Sequence, residues 1–251
     1  MNFYKNGTSQ HIICHEFFRD IDTEIKAYLL GFLYADGCVS KDKYSITVHV
    51  TETDKYIIDL FKRFVSPDAN VYKHNGNTFI SRGNTYKSKP SLKITIGSSI
   101  IVKDLEHLGI SENKTWKELH IPDIPKSLIR YFILGYFDGD GCFTAHISEP
   151  NIKNREKNPR IKMSWNICSK RDEILKDFKY FLEKELDITL NINYIKRDNM
   201  FRLATASKKA CKKLFDYFYA ESHFYYERKF NKFNYYVNTE VSQLIADHRN
   251  A

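Results

Sequence analysis

Two aspartates stand at the same place in two copies of one nine-residue pattern. The first copy, residues 29–37, reads LLGFLYADG, and the second, residues 133–141, reads ILGYFDGDG. The aspartates at the eighth position, Asp36 and Asp140, lie 104 residues apart in the chain. Carboxylates and backbone carbonyls are the oxygen ligands that Mg²⁺ accepts in proteins, usually with several waters retained. The repeat therefore predicts metal chemistry at two equivalent carboxylates.

Each copy closes an apolar stretch with helical spacing. We expect Asp22 or Thr23 to cap the first helix, and Pro125 to suit the first turn of the second. Small residues recur four apart in both helices, and this spacing is typical of two helices whose backbones approach closely. The expected contact residues are Gly31, Ala35, Gly135 and Gly139.

A carboxylate at the C-terminal end of a helix is disfavoured by the helix dipole, by about 0.3–1 kcal/mol. If the two helices pack side by side, Asp36 and Asp140 also repel each other. A divalent cation relieves both penalties, so we expect a metal held by these two carboxylates and by the neighbouring carbonyls of Ala35 and Gly139.

The two copies resemble the paired signature of the LAGLIDADG homing endonucleases, in the single-chain form with two motifs. The resemblance is close over residues 22–37 and 125–141 and looser over the flanking sequence. It implies an α+β fold of two α-β-β-α-β-β-α halves related by a pseudo-twofold axis, whose antiparallel sheets form a DNA-binding saddle. It also implies that Asp36 and Asp140 are the catalytic, metal-binding carboxylates. The cofactor would be Mg²⁺, with Mn²⁺ or Ca²⁺ able to replace it for binding.

The sixth position of the motif differs between the copies. It is Asp138 in the second copy and Tyr34 in the first. In the family the eighth position carries the chemistry, so the resemblance still implies activity, with two unequal halves.

The composition agrees with a polyanionic partner. The chain has 251 residues, 39 Lys and Arg against 31 Asp and Glu, a net charge of +8 and a pI near 9.0. Its five cysteines are odd in number and contain no C-x-x-C pair, so neither a zinc knuckle nor a disulfide framework is indicated, and we expect a reducing compartment. We expect the cytoplasm or an organelle matrix, not secretion, because the chain opens without a signal peptide and no apolar run could span a membrane.

Alternating residues predict the strands. Ile46, Val48 and Val50 alternate with polar residues from position 44 to 51, and the second half repeats this phase from Ile161 to Cys168, at an offset of 117 residues. Asn75-Gly76 and Asp198-Asn199 are predicted hairpin turns. Ser98 or Ser99 in one half, and Ser207 in the other, are predicted to cap the third helix.

These elements divide the chain into segments. We expect an N-terminal extension over residues 1–20, a first half over 21–121, a linker over 122–125, and a second half over 126–251 whose end is a polar tail.

The polar faces of the predicted strands could bind nucleic acid. Two antiparallel ribbons that present Arg, Lys, Asn and Thr can read base edges in the major groove while lysines contact phosphates. Any single exposed lysine is ordinary, but both halves have such a face and the whole chain is basic. The candidates are Lys43, Thr47, His49, Lys73, Arg82, Lys87, Lys93, Arg160, Lys162, Asn166, Asn193, Lys196, Arg197 and Arg202.

Cleavage of a phosphodiester also needs a basic group near the reacting oxygens. Lys114 and Lys229 follow the third helix of each half, the region that holds active-site lysines in the family, with Arg228 as an alternative to Lys229. Glu52 and Ser169 follow the long strands and are weaker candidates for an assisting polar group.

The resemblance implies a site-specific endonuclease that cuts each strand of a long, asymmetric DNA target across the minor groove and leaves 3′ overhangs. The two unequal halves suit a monomer. Two alternatives remain open: an RNA maturase that assists intron splicing and has intron RNA as its partner, and a DNA-binding regulator of the same fold without cleavage.

Overall fold

The structure is a computed structural model that describes residues 2–5, 11–81, 83–148 and 159–249. It contains two compact units, Met1–Tyr136 and Phe137–Ala251. Within the described ranges, no helix is both long and apolar enough to cross a membrane.

The first unit contains one antiparallel four-stranded sheet with the strand order β1-β2-β6-β3 and a separate two-stranded hairpin, β4-β5. Both follow the first motif helix along the chain. The elements are α1 (Glu24–Asp36), β1 (Gly37–Ser40), β2 (Ser45–Thr51), α2 (Lys55–Phe64), β3 (Val71–His74), β4 (Thr78–Ser81), β5 (Asn84–Lys87), β6 (Ser91–Gly97) and α3 (Ser99–His107).

The second unit contains a sheet of the same topology, β7-β8-β10-β9, again antiparallel. The predicted α+β architecture with two antiparallel sheets is therefore confirmed. The elements are α4 (Ile129–Asp140), which begins in the first unit, β7 (Gly141–Ser148), β8 (Arg160–Ser169), α5 (Glu173–Leu186), β9 (Asn191–Ile195), β10 (Met200–Thr205), α6 (Lys208–Tyr219), α7 (Glu227–Asn238) and α8 (Val241–Arg249).

Helix α1 is buried on every side. Its side chains from Ala27 to Ala35 are all inaccessible to solvent, as expected for a helix that is apolar all round. The start of α4, which also belongs to the first unit, packs against it. A Cβ atom at Gly31 would lie 1.9 Å from the carbonyl oxygen of Phe132, and one at Gly135 would lie 2.0 Å from that of Tyr28. These two positions therefore require glycine.

The N-terminal residues that the structure describes pack against the rest of the first unit. The Cys14 amide donates to the carbonyl of Val65 at 2.8 Å, and the Ser66 hydroxyl donates to that of Ile12 at 2.9 Å. Phe17 and Phe18 are buried and stack edge to face. Apolar burial of this kind stabilises the unit.

Helix caps agree in part with the sequence. Ser98 and Ser207 are N-caps whose hydroxyls accept hydrogen bonds from the third amide of the following turn, so both predictions are confirmed. Thr23 occupies the N-cap position of α1, but its side chain makes no capping bond. A short 3₁₀ turn, Lys126–Leu128, separates Pro125 from α4.

Two turn and strand predictions were wrong. Asn75-Gly76 does not join two paired strands, because β3 pairs with β6 while β4 pairs with β5. The β4-β5 turn contains Gly83, whose φ of 78° favours glycine, whereas at Gly76 a Cβ would lie 2.0 Å from the Ser88 carbonyl oxygen. Tyr44 does not belong to β2 either: it is an exposed turn residue with φ 45°.

The predicted turn at Asp198-Asn199 is confirmed, since it joins β9 to β10 and Asn199 has φ 48°. The strand pairing also corrects the offset between the halves. Gly37 pairs with Val48, and the equivalent Gly141 pairs with Ile167. The long strands therefore correspond at an offset of 119 residues rather than 117, which preserves the alternation because both offsets are odd.

Candidate functional site

Each motif aspartate is the last residue of its helix and is exposed. Asp36 ends α1 and Asp140 ends α4, and in each case a strand begins at the next residue. The ninth-position glycine makes this sharp transition possible, because a Cβ at Gly37 would lie 2.8 Å from the carbonyl oxygen of Leu33. In each unit the chain thus exposes a carboxylate to solvent at the residue directly before the first strand of the sheet.

A lysine binds the end of each motif helix. In the first unit, the Lys114 ammonium donates to the carbonyl oxygens of Tyr34 at 2.9 Å and Ala35 at 2.5 Å. In the second unit, the Lys229 ammonium donates to those of Phe137, Asp138 and Gly141. A cation near the last carbonyls of a helix is favourable. The structure thus brings both predicted lysines to the backbone beside the motif aspartates.

Strand pairing places basic side chains near Asp36. Gly37 pairs with Val48 on the antiparallel strand. Asp36 precedes Gly37 and His49 follows Val48, so Asp36 and His49 lie on the same side of this pair. Across the sheet His49 pairs with Lys93, and Lys93 pairs with Tyr72. Directly opposite residues of antiparallel strands point to the same face. His49, Lys93 and Tyr72 therefore form one row across the polar face.

The second unit has the equivalent row with different chemistry. Cys168 follows Ile167, the partner of Gly141, and pairs with Arg202, which pairs with Asn193. Burial raises the pKa of the Cys168 thiol; the positive charge of Arg202 lowers that pKa, and the negative charge of Asp140 raises it. Both charges thus act on one thiol, so the guanidinium and the motif carboxylate lie in the same neighbourhood.

The polar face of the first sheet contains a groove. Lys43, Thr47 and Lys93 line it together with Thr95 and Asn113. Thr47 and Thr95 share a hydrogen bond of 3.0 Å between their hydroxyls. Three of the predicted DNA-binding residues therefore surround one concave surface.

Lys73 does not lie on this face. It pairs with Leu92, a buried core residue, so it points to the side opposite Lys93, and its ammonium binds Glu52 at 2.5 Å. Glu52, a candidate assisting group, is thus an ion-pair partner of Lys73. Lys87 is exposed on β5, in the separate hairpin. Arg82 lies outside the described residues.

In the second unit the predicted set shares one face. Arg160, Lys162 and Asn166 alternate along β8 with the buried Met163 and Trp165. Asn193 and Arg202 belong to the row of Cys168. Lys196 and Arg197 are exposed in the turn between β9 and β10, where Arg197 forms an ion pair with Asp198 at 2.9 Å.

Sequence reasoning missed three residues on these faces. Tyr72 is exposed beside Lys93, and the His74 ring contacts the His49 ring at 5.8 Å between centroids. Cys168 lies in the same row as Arg202, with which it pairs. The alternation of Val71 to His74 could have identified Tyr72 and His74, because a strand of four residues already separates two faces.

The donor set at each motif suits a hard cation. Each unit offers one exposed carboxylate and adjacent backbone carbonyls, which are all oxygen ligands. Mg²⁺ commonly binds through one or two carboxylates and keeps several waters. Nowhere in the described part of the chain do three or more His, Cys, Asp or Glu side chains gather as a metal cluster.

Solved structures with a similar fold include LAGLIDADG meganucleases. The K262A mutant of I-SmaMI has a TM-score of 0.59 at 14% identity, over 89% of this chain and 96% of that one. The meganuclease I-CpaMI bound to uncleaved DNA has a TM-score of 0.56 at 13% identity, over 87% and 92%. I-AabMI bound to uncleaved DNA has a TM-score of 0.51 at 14% identity, over 84% and 89%. The chain therefore has the meganuclease fold.

The family comparison is more specific. The model described as LAGLIDADG endonuclease matches residues 133–240, from the second motif to the end of α7. No curated protein sequence matches the chain. The family model thus matches less than half of the chain, within its second half, and the resemblance to the LAGLIDADG homing endonucleases found in the sequence is confirmed there.

Proposed function

We propose that this protein is a site-specific endonuclease that hydrolyses both strands of a long, asymmetric duplex DNA target and leaves 3′ overhangs. One observation carries the proposal. In each unit an exposed motif aspartate stands at the end of a helix, directly before a sheet whose polar face carries basic side chains. The I-CpaMI and I-AabMI structures, which are bound to uncleaved DNA, support the same substrate class.

Asp36 and Asp140 are the proposed catalytic carboxylates, each with a divalent ion, most simply Mg²⁺. Ala35 and Gly139 are the proposed carbonyl ligands, and the Ala35 oxygen would then be shared with the Lys114 ammonium. The ion would activate a water and stabilise the leaving 3′ oxygen. The carboxylates would hold the ion, and each stands at the end of a helix whose motif residues are mostly buried. Mn²⁺ or Ca²⁺ would replace Mg²⁺ for binding.

The polar sheet faces would hold the DNA. Lysines and arginines on the faces and in the turns would contact phosphates, while Thr47 and Asn166 on the same faces would read base edges. Lys73 is left out of this surface because its ammonium is committed to Glu52 on the other face.

The two units would read different half-sites. The row beside Asp36 contains His49, Lys93 and Tyr72, whereas the row in the second unit contains Cys168, Arg202 and Asn193. These side chains differ in hydrogen-bonding pattern and shape, so they select different bases. We propose a non-palindromic target, a monomeric enzyme, and functional halves at residues 21–121 and 126–251.

The test is selection from a randomised duplex DNA library with Mg²⁺, followed by cleavage of the recovered site. Asp36→Asn and Asp140→Asn should each abolish cutting of one strand and retain binding in Ca²⁺. Asp59→Asn is the matched control, since this exposed aspartate pairs with Lys55 on α2. Its cleavage rate should equal that of the wild type.

Two outcomes would contradict the proposal. A protein that binds one site but never cuts it is a non-cleaving regulator. A protein that ignores duplex DNA and binds structured intron RNA is a maturase.

A further inference from the structure

The Lys229 ammonium binds the backbone around Asp140. Its ammonium lies 2.7 Å from each of three carbonyl oxygens, those of Phe137, Asp138 and Gly141. An ammonium has three N–H donors and no acceptor, so it can donate to several carbonyl oxygens at once. The side chain is only 9% exposed, and its nitrogen lies 5.0 Å from the centre of the Phe137 ring.

A second contact joins α4 to α7, and here the charged side chain is Asp138 of α4. Its carboxylate accepts a hydrogen bond of 2.8 Å from the amide of Tyr226, the N-cap residue of α7, which carries Lys229. A carboxylate is favourable at a helix N-terminus and an ammonium at a helix C-terminus. The end of α4 and the start of α7 thus cap each other with opposite charges, and both charged groups are buried.

The first unit makes an analogous connection without the carboxylate. Tyr34, at the same motif position as Asp138, donates its hydroxyl to the carbonyl of Leu108, the C-cap residue of α3. Lys114 then donates to the carbonyls of Tyr34 and Ala35. In both units the sixth motif position therefore binds the segment that precedes the lysine, through a neutral phenol in one and a carboxylate in the other.

We infer that Lys229 and Asp138 are positioning residues, which fix the backbone on both sides of Asp140. Lys229 binds the carbonyls of Asp138 and Gly141, which lie on either side of Gly139 and Asp140. These bonds therefore hold the backbone of Asp140, whose carboxylate is the proposed metal ligand. The consequence for cleavage rests on the proposed function, whereas the structural role does not.

Amide hydrogen exchange of the free protein tests the structural role. In Lys229→Met and Asp138→Asn, the peptide covering residues 137–142 should exchange at least about tenfold faster than in the wild type. Lys232→Met is the matched control, because this lysine is exposed on the same helix, and it should leave the exchange unchanged. If Lys229→Met fails to fold, the exchange measured in Asp138→Asn tests the inference by itself. Unchanged exchange in the folded variants would overturn the inference.

Strand-resolved cleavage tests the consequence. In Asp138→Asn, one strand of the target should be cut more slowly by tenfold or more, so that nicked DNA accumulates, while Ca²⁺-supported DNA affinity stays within twofold of the wild type. Equal slowing of both strands would indicate a general loss of structure and overturn the inference. If the wild type cuts neither strand, the proposed function fails, and the exchange experiment still decides the role of the two residues.

Discussion

Gly31 and Phe132 touch through their backbones: a Cβ atom built on Gly31 would lie 1.9 Å from the carbonyl oxygen of Phe132. Gly31→Ala must push α1 and the start of α4 apart, and overpacking of a dense core costs about 1–3 kcal/mol. We expect a loss of this size in the free energy of unfolding, measured by urea denaturation. Gly97→Ala is the control, since no atom lies within 4 Å of its Cβ position. Equal stability of Gly31→Ala and wild type would contradict the close approach of the helices.

Lys93 and Lys73 lie on adjacent strands but on opposite faces of the first sheet. If the face of Lys93 binds DNA, Lys93→Gln should reduce the slope of log K against log salt by about one. Lys73→Gln should leave that slope unchanged. The measurement is a salt titration of duplex binding in Ca²⁺, and an identical slope for wild type and Lys93→Gln would exclude this lysine from the interface.

His15 makes the stability of the first unit depend on pH. Its ring is buried, its Nδ1 bonds to the Ser98 hydroxyl at 2.7 Å, and the Tyr4 ring lies 4.7 Å away. Burial lowers the His15 pKa from its usual 6.5, although the Tyr4 backbone and the charge of Glu16 act in the opposite direction. The unfolded chain therefore binds a proton near pH 6.5 that the folded protein does not yet bind, so stability falls as the pH decreases through 6.5.

Urea denaturation at pH 7.5, 6.5 and 5.5 checks this pH dependence. In His15→Gln the free energy of unfolding should fall less steeply between pH 7.5 and 5.5 than in the wild type. Parallel pH profiles for the two proteins would show that His15 is not the group responsible.

The cysteines should differ sharply in reactivity. Cys38 and Cys142 are exposed, whereas Cys14 and Cys211 are buried, and burial raises the pKa of Cys211 to about 11. Since the thiolate is the reactive form, an aromatic disulfide reagent at pH 8 should label Cys38 and Cys142 first. Cys211 should react only after unfolding.

Bound DNA extends this thiol experiment to the proposed interface. Cys38 pairs with Thr47 and Cys142 pairs with Asn166, so both lie on the polar faces. Duplex DNA should therefore slow the labelling of both cysteines. Rapid labelling of Cys38 in saturating DNA would place the ligand elsewhere.

Local chemistry in the sequence determined much of the site. The repeated apolar pattern identified both motif helices and the exposed aspartates that end them, because a buried helix must be apolar all round and its terminal polar residue must face solvent. Alternation identified β2 and β8, and serine chemistry identified the caps at Ser98 and Ser207. Each of these features depends on neighbours within a few residues.

Only the tertiary structure decided the remaining features. An offset of 117 residues and one of 119 give the same alternation, so hydrogen bonds between strands had to set the pairing of Gly141 with Ile167. The pairing of Lys73 with Leu92 likewise placed that lysine away from the polar face. The commitment of Lys229 to three carbonyls arises from contacts 88 to 92 residues apart in the chain. Local sequence preferences cannot predict such contacts, because the contacts form only when the helices and strands pack.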